Sequence, residues 1–113
     1  MRYAFSRIGI LAAFAWTIAL TPPTDIKANF DAPVQVTVTD EMGKPVKGAN
    51  VEMTVTMVDM DHGEFKHAAK ETAAGTYEAA STKFYMVGTW NLKVKAQKGA
   101  ESAVKDFKIE VKH

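Results

Sequence analysis

Beyond residue 30, apolar residues recur at every second position, the spacing that sends alternate side chains to opposite faces of a strand. Val34, Val36 and Val38 share one face, with Gln35, Thr37 and Thr39 on the other. Val51, Met53, Val55 and Met57 repeat the pattern against Glu52, Thr54 and Thr56. Trp90, Leu92, Val94 and Ala96 do so again against Asn91, Lys93 and Lys95. Phe107, Ile109 and Val111 give the inner face of a last strand, and Tyr77 centres a short one. Turn formers separate these segments: Asp40, Gly43 and Pro45 after the first, Gly75 before Tyr77, and Gly99 ahead of the last. Residues 64–74 have weak helical spacing, but His67, Thr72 and Gly75 favour strand or loop. The predicted architecture is all-β, a small antiparallel β-sandwich of about seven strands with Trp90 in its core.

The first 28 residues follow a different pattern. Arg2 and Arg7 give a positive start, and residues 8–20 are uncharged and almost wholly apolar. As a helix that run spans roughly 20 Å at ~1.5 Å per residue, short of the ~30 Å hydrocarbon core of a bilayer. It is read as a signal peptide, residues 1–28, cut after Ala28 in Ile26-Lys27-Ala28. If retained, the same N-terminal helix is a membrane anchor and the protein's one contact with the membrane. Residues 29–113 then form one β-domain, periplasmic or otherwise exported.

Composition narrows the function classes. The 113 residues contain no cysteine, so packing alone holds an exported domain that has no disulfide. A cut after Ala28 removes Arg2, Arg7 and Lys27 against Asp25 alone, which takes the formal charge from +1 to −1. That balance leaves no electrostatic footprint for nucleic acid. Enzymatic readings find little support in the sequence. Ser81 and Ser102 lie outside any G-x-S-x-G context, no cysteine nucleophile exists, and the glycines are spread singly rather than gathered into a phosphate loop.

One segment concentrates soft ligands: Met57-Val58-Asp59-Met60-Asp61-His62-Gly63-Glu64-Phe65-Lys66-His67. Thioethers prefer Cu(I), and imidazole holds copper in either oxidation state. The candidate metal ligands are Met60, His62, Met86, Met57 and His67, with His67 facing the others across a turn near Gly63 and Met86 arriving from another loop. Each has a plainer reading. Met57 shares parity with Val51 and Val55 and suits core packing. Met60 lies between two aspartates as a surface residue, His62 as a turn residue, His67 as a solvated histidine, and Met86 as a plug over the sandwich end. Asp59, Asp61 and Glu64 offer oxygen to Ca²⁺, but Gly63 stands where a calcium loop places its third ligand. Tyr77 and Trp90 take inward strand positions, and of the adjacent Phe84 and Tyr85 at most one faces inward.

Gly43-Lys44-Pro45-Val46-Lys47-Gly48-Ala49-Asn50-Val51, the Met-rich loop, Gly75-Thr76-Tyr77 and Met86-Val87-Gly88-Thr89-Trp90-Asn91-Leu92 together resemble the YtkA-like domain family, which includes FixH-type proteins. The resemblance covers residues 32–112. It implies an immunoglobulin-like sandwich outside the cytoplasm. FixH-type relatives are associated with assembly of copper-containing respiratory oxidases and usually carry a membrane anchor. A metal role carried over from the family attaches to Met57, Met60, His62 and Met86. The loop departs from the family pattern in having Val58 where proline is common and aspartates on both sides of Met60. The expected function is that of a copper-binding carrier or metal-homeostasis accessory protein, exchanging Cu(I) with a donor or acceptor protein of the cell envelope. The alternative is a metal-free interaction module that docks another envelope protein, for example in respiratory oxidase assembly.

Overall fold

Alternating β-branched and polar side chains make each strand a ribbon with one apolar face, and such ribbons are stable only when those faces meet. The computed structural model describes residues 16–21, 26, 28, 31–58, 63–84 and 86–112. Among these residues seven strands form and no helix: β1 (Thr17–Thr21), β2 (Asp31–Thr39), β3 (Asn50–Met57), β4 (Phe65–Ala73), β5 (Thr76–Lys83), β6 (Gly88–Lys98) and β7 (Glu101–Val111). They pair in the order β1-β2-β5-β4-β3-β6-β7, every neighbour antiparallel. β4 is the corner of the sheet, since residues 65–69 pair with β3 and residues 70–73 pair with β5. β1 in turn lies against β7, so the sheet curls until it nearly closes. The predicted all-β architecture is therefore present in a barrel-like form.

The core is the set that the alternation predicts. Val34, Val36, Val38, Met53, Val55, Trp90, Leu92, Val94 and Ala96 are all fully buried, and Phe107 at the sandwich margin is half-buried. Phe84 takes the inward position of its pair, while Tyr85 lies outside the described residues. Within residues 64–74, Phe65–Ala73 form strand β4, with Glu64 before it and Ala74 in the turn after it.

The region expected to be an N-terminal helix is described only from residue 16, and there it is strand. β1 pairs with β2 from Thr17 opposite Thr39 to Thr21 opposite Gln35, and Ile18 is 3% exposed. The physical reason lies in Thr17-Ile18-Ala19-Leu20-Thr21, a period-two stretch at the end of the apolar run. Ile26 is also buried. Its carbonyl accepts from the Lys112 amide at 3.0 Å, and the Ala28 amide donates to the Lys112 carbonyl at 3.0 Å.

Polar side chains fasten the end of the sandwich that carries the β6–β7 turn. Asp40 Oδ1 accepts from the amides of Met42 and Lys44, both at 2.9 Å, and folds the turn after β2. The Tyr77 hydroxyl donates to the Val46 carbonyl at 2.6 Å and accepts from the Ala49 amide at 3.0 Å, which ties the Gly43–Gly48 loop to the core. Burial pushes the Tyr77 phenol above its ordinary value, so it remains a neutral donor. Glu71 bridges two more loop amides, accepting from Gly48 at 2.9 Å and from Gly75 at 3.1 Å.

Those two amides, Gly48 first, hold the Glu71 carboxyl below the ordinary value of 4.5. A carboxylate lowered in the folded state adds stability above its unfolded pKa, and that stability is lost as pH falls through the folded value. Glu71→Gln is accordingly expected to lower Tm at pH 7, by a difference that shrinks as pH falls below 4.5. Thermal melts of both proteins from pH 7 to pH 3 check this; parallel acid limbs would show that the bridge contributes nothing.

Candidate functional site

Two of the five predicted ligands are described at one end of the sandwich, the end where β3 leads toward β4 and β5 toward β6. Met57 closes β3 and is half-buried. Its backbone partner is Trp90, and its methyl lies so close to Gly88 that a Cβ built there would stand 2.8 Å from it. Met86 reaches the same place from the other loop. Its carbonyl accepts the Trp90 indole N–H at 2.9 Å, and its side chain is 40% exposed. One tryptophan thus positions both methionines, opposite Met57 in register and bonded to the backbone of Met86.

Trp90 is part of an aromatic cluster at this end. The Phe84 ring meets Trp90 edge-on at 5.6 Å between centroids, and Phe65 lies tilted to it at 6.4 Å. Such contacts fix ring orientation as well as burying area. Around the rim, Val58 and Val87 are exposed, and the Val58 amide donates to the Thr89 carbonyl at 3.1 Å. Met60 and His62, with Asp59 and Asp61, lie outside the described residues; the chain enters that segment from Val58 and leaves it at Gly63.

His67 is not brought to this end. It pairs with Met53, four residues down β3 from Met57, a separation of roughly 13 Å at ~3.3 Å per residue. Directly opposed residues share a face, so His67 faces inward with Met53. Its Nε2 is buried and has no hydrogen-bond partner among the described residues. A buried polar atom left unpaired costs about 1–3 kcal/mol. His67→Leu keeps the volume and removes that atom, so Tm is expected to rise by several degrees, roughly 4–8 °C per kcal/mol in a domain of this size. Calorimetry of the two proteins decides it, and a lower Tm for the variant would mean that the imidazole is satisfied in solution.

Elsewhere the surface is mixed and solvated. A recess on the outer face of β3, β4 and β6 is lined by Glu52, Thr54, Lys66, Asn91 and Lys93, acids and bases interleaved. Asn91 continues that pattern onto β7, donating to Asp106 at 3.1 Å and accepting from Lys108 at 3.0 Å. No three His, Asp or Glu side chains gather into a metal-binding group among the described residues. At the β3–β4 end the candidate ligands among the described residues are the thioethers of Met57 and Met86. Trp90 is the member that ligand chemistry overlooks. Its sequence signal is the indole donor four residues after Met86, near enough to close the loop on itself.

Comparison with known proteins agrees with this architecture. A family model described as YtkA-like matches residues 12–95. No curated protein matches the chain. Among solved structures, a segment of the multi-modular cell-surface chitinase ChiW from Paenibacillus sp. str. FPU-7 superposes with a TM-score of 0.60 at 15% identity, covering 83% of this chain. This chain spans only 8% of that enzyme's length. The sensor domain of the anti-sigma factor RsgI4 of Pseudobacteroides cellulosolvens superposes with a TM-score of 0.52 at 18% identity, covering 85% of this chain and 95% of that one. At such identities the likeness is one of fold alone.

Proposed function

This chain belongs to the YtkA-like family, and from that premise we propose that it is an exported β-sandwich protein that carries copper(I) loosely at its β3–β4 end. The observation that carries this reading is that Trp90 pairs with Met57 across the ladder and bonds the Met86 carbonyl, at the end where the chain runs on into Met60 and His62. Thioethers bind Cu(I) without titrating and without forming disulfides, which suits an oxidising compartment and a chain with no cysteine. The ion is cargo, and no bond-making chemistry is involved. An open, partly exposed Met86 lets an envelope partner take the ion by exchanging one ligand at a time, while the exposed Val58 and Val87 offer apolar contact during the exchange.

Anaerobic titration of the purified protein with Cu(I) against a competing chromophoric chelator tests the reading. One equivalent is expected, weakened tenfold or more, about 1.4 kcal/mol, by each of Met60→Ala, His62→Ala and Met86→Ala. Binding no stronger than that of an unrelated exported sandwich, or unmoved by all three substitutions, would end the carrier reading.

The exposed Val58, Met86 and Val87 also favour a second reading, a metal-free module that docks an envelope protein through this end, as in respiratory oxidase assembly. A photocrosslinker at Val87 that captures the same partner with and without copper is the result expected of it.

A further inference from the structure

We propose that the mature protein keeps residues 17–28 as a wall of the sandwich, and that removal of a leader is confined to the Ala15–Trp16 bond or to positions before it. The inference is independent of what the β3–β4 end binds.

Three contacts place this segment inside the fold. β1 forms a five-residue antiparallel ladder on β2, from Thr17 opposite Thr39 to Thr21 opposite Gln35. It buries Ile18 to 3% and half-buries Leu20. Ile26 is 5% exposed, and Ile26 and Ala28 exchange a reciprocal pair of backbone hydrogen bonds with Lys112 just after β7. β1, itself an outermost strand, together with Ile26 and Ala28 therefore links β2 to the end of β7 and nearly closes the sheet.

A cut after Ala28 would undo all three. It would leave the β2 edge without a partner, with a row of open amides and carbonyls, the hazard that edge strands present. It would also uncover the core under Ile18 and leave Lys112, just after β7, without its two backbone hydrogen bonds to Ile26 and Ala28. The sequence offers a cut that spares them. Ala13-Phe14-Ala15 has the small-x-small pattern of a signal-peptidase site, preceded by Arg2, Arg7 and an apolar run from Ile8. The family match likewise begins at residue 12, ahead of β1 rather than after residue 28.

The test is the N-terminus of the full-length gene product after expression and export in a bacterial host, read by intact mass and N-terminal sequencing. A chain beginning at Trp16 or earlier is the expected result; a chain beginning at Asn29 would overturn the proposal. Ile18→Ala in the same full chain adds a readout that does not depend on the mass. With β1 retained, the substitution opens a cavity and lowers Tm by roughly 5 °C or more. A Tm equal to that of the unsubstituted protein would show that β1 is no part of the folded product.

Discussion

Trp90→Ala is expected to destabilise the protein by about 3–5 kcal/mol, the range for truncating a fully buried tryptophan. A small domain holds only about 5–15 kcal/mol in total, so this one change removes a large share of the protein's stability. Two losses combine. The indole fills the core beside Phe84 and Phe65, and its N–H satisfies the Met86 carbonyl. Trp90→Phe separates them: it keeps an aromatic ring in the cluster and removes the donor, at about 1 kcal/mol for the hydrogen bond. Chemical denaturation of the three proteins checks the ranking. A Trp90→Ala protein within 1 kcal/mol of the parent, as read from its midpoint, would mean that the aromatic cluster does not organise this end.

The second large effect is expected at Gly75. The residue has φ +74° in the β4–β5 turn, and a Cβ there would stand 2.6 Å from the Pro45 Cβ and 3.1 Å from the Val38 carbonyl oxygen. Its own carbonyl accepts from the Val38 amide at 2.8 Å, and its amide donates to Glu71, so the backbone cannot move aside without breaking both bonds. Gly75→Ala thus combines about 1–2 kcal/mol for a left-handed L-residue with about 1–3 kcal/mol for forced repacking. Gly99→Ala is the control, with φ +61° and open space around the added methyl, and it shows the conformational cost alone. If the two variants melt together, the contact with Pro45 is slack and the packing argument fails.

These residues also mark where sequence reading succeeds and where it stops. β2, β3 and β6 were legible because each has one buried and one solvated face, so that Val34 to Val38, Val51 to Val55 and Trp90 to Ala96 alternate without interruption. β4 was ambiguous for a physical reason. As the corner of the sheet it pairs with β3 along one half and β5 along the other, and no position from Phe65 to Ala73 is fully buried. β1 was hidden by its surroundings, because five alternating residues at the end of a uniformly apolar run look like the rest of that run. The inward placement of His67 was out of reach, since it depends on the register between β3 and β4, which no local pattern encodes. The candidate site was legible in its chemistry and only partly in its geometry. Met57 and Met86 share an end as expected, His67 stands with Met53, and Met60 and His62 lie outside the described residues.

The central claim is that thioethers at one end of the sandwich hold a soft monovalent metal, and the methionines themselves supply the probe. Met42 is 76% exposed on the loop at the opposite end, and Met53 is fully buried in the core. In a protein labelled at the methionine methyl carbons, stoichiometric Cu(I) or its redox-inert mimic Ag(I) is expected to shift the Met57, Met60 and Met86 resonances while those of Met42 and Met53 stay in place. No shift at one equivalent, or a shift of Met42 as large as that of Met86, would contradict the account.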